Sequence, residues 1–182
     1  MSDKLTFNDD PQTIDGPTVM AYTNGYFTSS RNLEIHCIHG SSQVVTKNGL
    51  KKIKEITKDD YVLSGPKLDT FVQVKGISSC WLGPSKENIH DAIVFEKDSL
   101  GNMEPLERFI VDIDHPVGTM KDYLEGKKLR PAKEYLGTPG VFRAKWNNFV
   151  VQNEPSKRYD LILPKGYDVY IAHGIVVKAR NE

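Results

Sequence analysis

The chain has 182 residues, and its 24 lysines and arginines balance 24 aspartates and glutamates. That length suits one substantial hydrophobic core rather than two domains, and the balanced charge creates no global field to attract nucleic acid or an anionic membrane. No apolar run approaches the roughly 20 residues of a membrane span, and the N-terminal MSDKLTFNDDPQ lacks a signal peptide's apolar stretch. The two cysteines, Cys37 and Cys80, do not make a disulfide framework. A reducing, cytoplasmic setting is therefore expected, and it would keep Cys37 reactive.

Residues 1–18 are polar and carry little to bury. Val19 to Thr23 and Tyr26 to Thr28 flank Asn24-Gly25, a strong hairpin signal. Leu33-Glu34-Ile35-His36 then alternates as a strand running into Cys37. Val44-Val45-Thr46 reads as a strand, and Lys47-Asn48-Gly49 as a turn, because Asn and Gly tolerate positive φ. Leu50, Ile53 and Ile56 recur every three residues, as one face of a short helix or 3₁₀ turn would. Tyr61 to Ser64 is a strand, and Phe71 to Ile77 reads as a single long one after the Gly65-Pro66 turn.

A loop is expected over residues 83–90, a strand over Ala92 to Phe95, and a turn over Asp98 to Asn102. Phe109 to Ile113 alternates towards His115-Pro116. A little helix is placed around Asp122-Tyr123-Leu124, and a second helical turn within Leu129 to Tyr135. One or two strands lie in Val141 to Val151, and another in Tyr159 to Leu163. Val169 to Ala172 and Ile175 to Val177 flank His173-Gly174 as a last hairpin. Many short strands with frequent turns indicate an all-β fold.

The stretch from Cys37 to Ser64 resembles the opening block of the Hint (hedgehog/intein) superfamily. It shows a cysteine, a glycine at Gly40, small hydroxyls at Ser41 and Ser42, a valine strand, a glycine turn, the pair Ile53 and Ile56, acidic Asp59-Asp60 and a closing Val62-Leu63-Ser64. Asp112-Ile113-Asp114-His115 is similar to the family's Thr-x-x-His block, with Asp112 where the family has threonine. Tyr159-Asp160-Leu161 is similar to a late strand whose aspartate lies near the cysteine in many members, and Tyr170 to Val177 resembles the last block.

The resemblance implies a flat, pseudo-symmetric Hint β-fold with little helix over residues 37–182, preceded by a tail and hairpin over residues 1–36. It also implies an autoprocessing chemistry. Cys37 would attack the carbonyl of His36 to form a thioester, and His115 would protonate the nitrogen of Cys37 as the peptide breaks. Asp160 would relay a proton or hold water, and Asp112 could orient the imidazole while opposing a nearby thiolate. The N-terminal segment would then be severed by water or another nucleophile.

Lys178 and Ala179 occupy the places of the family's His-Asn pair, so asparagine cyclisation and splicing are not expected. No cofactor is implied, and His36, Cys37 and His39 lack metal-site spacing. The substrate is the chain's own N-terminal segment. The competing expectation is a catalytically silent Hint-fold subunit, its residues 1–36 held by a protein partner or a large assembly such as a viral particle.

Overall fold

The computed structural model describes residues 37–80, 91–145 and 158–182. The expected Asn24-Gly25 hairpin, the loop over 83–90 and the second half of 141–151 lie outside those residues. Two sheets, with strands numbered in chain order, make up the structure, and both are antiparallel except at one ladder.

In the first sheet, β11 (Val141–Lys145) lies beside β7 (Asp91–Phe95), β8 (Phe109–Asp112), β1 (Ile38–His39), β12 (Arg158–Leu163) and β15 (Arg180–Asn181), in that order. A further strand, β6 (Gly76–Cys80), also pairs with β12. The one parallel ladder joins β12 to β15. The second sheet runs β10 (Arg130–Pro131), β9 (Pro116–Gly118), β14 (Ile175–Lys178), β13 (Val169–Ala172), β2 (Gln43–Thr46), β4 (Tyr61–Ser64) and β5 (Thr70–Gln73), with β3 (Gly49–Lys52) on β2. Helix is confined, among the described residues, to α1 (Met120–Leu124) and 3₁₀ turns at Ile53–Glu55 and Ala132–Tyr135. Thr119 starts α1 by accepting the Asp122 N–H on its hydroxyl, which satisfies one orphan donor of the first turn.

The sheets share one core. Ile38, Val111 and Leu161 from the first sheet meet Val44, Val62, Tyr170, Ile175 and Val177 from the second. All four residues of β8 and all four of β13 are buried, which explains their near-continuous apolar runs. Register follows the turns. The β2–β3 hairpin closes through Gly49 at φ +107°, the β4–β5 ladder pairs Ser64 with Thr70, and the β13–β14 ladder pairs Ala172 with Ile175.

The structure corrects three sequence expectations. Phe71 to Ile77 is two strands in different sheets. After β5 the Val74 N–H donates to Asp60 O, and the Lys75 N–H donates to Ile162 O, so the chain crosses from one sheet to the other. Gly76 makes this crossing close, since a Cβ there would sit 3.2 Å from Ile162 Cδ1. Leu50 does not share a buried face with Ile53 and Ile56; it stands in β3 and is exposed. The expected second helical turn is preceded by the short strand β10.

Candidate functional site

Three neighbouring strands of the first sheet assemble the candidate site. Ile38 pairs with Val111 on one side and with Tyr159 on the other. One step back along both ladders, Cys37 stands between Asp112 on β8 and Asp160 on β12. Because successive side chains of a strand alternate between faces, Cys37 and His39 share one face of the sheet while Ile38 points to the core on the other. Sequence separations of 75 and 123 residues thus collapse onto adjacent positions.

The Cys37 side is held from two directions. Its N–H donates to Asp112 Oδ2 at 2.9 Å, and the Asp112 N–H donates back to Cys37 O at 3.0 Å. Cys37 is fully buried and carries a thiol, not a disulfide. The other oxygen of Asp112, Oδ1, accepts from Arg158 Nη1 at 2.8 Å, with both side chains nearly inaccessible. A buried pair of this kind is retained only with good geometry, because each ion alone would cost several kcal/mol to desolvate.

Asp160 lies across Cys37 from Asp112 and is 1% exposed. Its Oδ1 accepts from the Tyr170 hydroxyl at 2.8 Å and from the Leu161 N–H at 2.9 Å, while Oδ2 lies 3.6 Å from Arg180 Nε. Burial pushes the Asp160 carboxyl up to about 7, against the opposing pull of Arg180, Tyr170 and the Leu161 N–H and with added repulsion from Asp112. Burial likewise raises the Tyr170 hydroxyl well above its usual value, helped by the Asp160 carboxylate and by Cys37. Cys37, Asp112, Asp160 and Tyr170 therefore sense one another in a single low-dielectric space.

His115 follows β8 through a tight turn in which its N–H donates to Asp112 O. The ring is fully buried, and Nε2 lies 2.9 Å from Lys178 O. A carbonyl only accepts, so Nε2 carries a proton and the neutral tautomer leaves Nδ1 as the basic nitrogen. His115 thus ties the second block to the position where the resemblance places a histidine. The hydrogen bond to the Cys37 nitrogen that the resemblance assigns to His115 is made instead by Asp112, whose carboxylate is an acceptor.

Residue 36 lies outside the described residues. The sequence reading singled out Cys37, Asp112, His115 and Asp160, and the structure places Asp112 and Asp160 on the two strands that flank β1, with Cys37 just before β1 and His115 in the turn after β8. It overlooked Arg158 and Tyr170. Both carried a signal: Arg158 stands two residues before Asp160, on the same face of a strand, and Tyr170 is the one polar-tipped residue in Val-Tyr-Ile-Ala. His173, expected in the last turn, is there at φ +52°, and its Nδ1 also accepts the Gln43 N–H at 2.9 Å. Among the described residues no cluster of His, Cys, Asp and Glu could hold a metal ion, and no helix is long and apolar enough to cross a membrane.

No protein-family model matches the chain, and no curated protein matches it. Solved structures do. The bacterial intein-like domain of Clostridium thermocellum is similar at TM-score 0.52 and 10% identity, over 80% of this chain and 99% of that one. An Ssp DnaB mini-intein variant is similar at TM-score 0.50 and 15% identity, over 82% of this chain and 98% of that one. At such identities the likeness speaks to architecture, and it agrees with the two sheets. The chain is a Hint-fold domain, all-β with little helix.

Proposed function

We propose that this Hint-fold domain cleaves the bond between residue 36 and Cys37 through a thioester. The thiolate of Cys37 attacks the carbonyl of residue 36, the C–N bond breaks, and the thiol proton ends on the freed nitrogen. Water or an added nucleophile then opens the thioester and releases residues 1–36. The observation that carries this reading is the position of Cys37 one step along the β1–β12 ladder, beside the buried Asp160. Asp160, raised to about 7, is a carboxyl that both holds and releases a proton near neutral pH. Tyr170 fixes its orientation.

A silent Hint-fold subunit is the second reading. The observation favouring it is that the Cys37 nitrogen faces an acceptor, Asp112 paired with Arg158, rather than a proton donor. One experiment separates them. Hydroxylamine or dithiothreitol added to the purified full chain should release residues 1–36, by intact mass, and Cys37→Ala should release nothing. A chain that stays whole under every nucleophile sustains the silent reading.

A further inference from the structure

Resting on that cleavage, we infer that Asp112 is the receptor for the α-amino group that breaking the bond would free at Cys37. Three features of the geometry converge on this. Asp112 Oδ2 already holds the Cys37 nitrogen at 2.9 Å, and Oδ1 is engaged by Arg158 at 2.8 Å, so each carboxylate oxygen has its own cationic or donor partner. The Asp112 N–H also holds Cys37 O at 3.0 Å, which keeps residue 37 in register after the bond on its other side is gone. The whole arrangement is buried, where an ammonium is costly unless paired and hydrogen-bonded.

The proton balance follows. Breaking the C–N bond and forming the C–S bond transfers the thiol proton to nitrogen, which gives a neutral amine. That amine takes one more proton from solvent to become an ammonium, ordinarily with a pKa of roughly 7.7–8.0. Beside the Asp112 carboxylate the charged form is favoured and the pKa rises. The other groups facing this space are Arg158 and Asp160 on β12, Arg180 on β15 beside Asp160, Tyr170 on β13, His115 after β8 and His39 on β1. Arg158 opposes the ammonium, and Asp160, ionised, offsets it. A protonated amine is no nucleophile, so Asp112 would prevent the freed nitrogen from re-attacking the thioester and restoring the peptide. The threonine expected from the resemblance at this position could not do so, because it carries no charge.

The test exposes Cys37 without relying on self-cleavage. Residues 30–36 of the full chain are replaced by the recognition sequence of a site-specific protease that tolerates cysteine after its cut, and the α-amino group of ¹⁵N-cysteine-labelled, cut protein is titrated by NMR. The expected α-amino pKa lies about one to three units above the ordinary value. Asp112→Asn should return it to that value or below, and Asp112→Glu should keep it raised. An ordinary or lowered value in the native sequence, or no change in Asp112→Asn, would overturn the assignment.

Should Asp112→Asn fail to fold, the native sequence alone decides. Relative to uncut chain, the cut chain's urea midpoint should be highest below pH ~7.7 and fall as pH rises through the raised pKa; a flat difference would overturn the assignment. A raised pKa in a chain from which hydroxylamine releases nothing upholds the ammonium site and rejects the cleavage.

Discussion

At the scale of single residues, burial decides what the site's charges can do. Asp112 and Arg158 neutralise each other in direct contact, with both side chains nearly inaccessible to solvent. Removing one partner strands the other, at about 3–5 kcal/mol, whereas replacing both by apolar groups of similar size is often neutral. Arg158→Ala should therefore destabilise the fold by that amount in urea denaturation, and Asp112→Asn combined with Arg158→Met should recover most of it. Asp160 makes a different prediction. Its carboxyl is raised from 3.8 to about 7, so between those values the folded chain keeps a proton that the unfolded chain has lost. Its contribution to stability is full below pH ~4 and is gone above the folded pKa, a change on the order of a few kcal/mol. Compared with the wild type, Asp160→Asn should shift the slope of urea midpoint against pH upward between pH 4 and 7.5, and an unchanged slope would mean that Asp160 is ionised throughout. Neither the pairing of Arg158 with Asp112 nor the raised Asp160 could be read from the sequence. Proximity between positions 37, 112 and 158–160 exists only once β8, β1 and β12 lie side by side.

At the scale of elements, local chemistry was the legible part. Tyr61–Ser64 is a strand over the span its β-branched and aromatic residues suggest, and Asp122-Tyr123-Leu124 is helical behind a threonine cap. His173-Gly174 turns the last hairpin, as a pair tolerant of positive φ should. Phe71 to Ile77 was misread because both halves alternate alike, and only the contacts of Lys75 and Gly76 with Ile162 tell the chain to change sheets. The hairpin offers a sharp test. Gly174 lies at φ +81°, and a Cβ there would meet Met103 O at 2.6 Å, a backbone atom that cannot step aside cheaply. Gly174→Ala should cost at least ~1–3 kcal/mol in thermal or urea denaturation, from strain at positive φ and from that overlap. His173 adds an acid dependence of its own. Burial lowers its ring to about 4, so stability it supports is present near neutrality and lost as pH falls from 6.5 towards that value.

At the scale of the molecule, the last block lies in the same fold as Cys37 but lacks the asparagine that splicing would use. Splicing would require an asparagine whose side-chain amide attacks its own carbonyl. Ala179 has no such group, and the nearby Asn181 spends its amide on Leu163 O, Pro164 O and Tyr167 O while β15 pairs with β12. Peptide mapping after long incubation should find residues 177–182 intact, and an aminosuccinimide at Asn181 would show that the last block is misaligned. The central claim concerns the other end, where Cys37 directly precedes β1. Its most direct measurement is the intact mass of the full chain, wild type and Cys37→Ala, before and after hydroxylamine at neutral pH. Thioester chemistry predicts a fragment ending at residue 36 and a second beginning at Cys37 in the wild type only. A wild-type chain that keeps its full mass, or a Cys37→Ala chain that is cut at the same place, would contradict it.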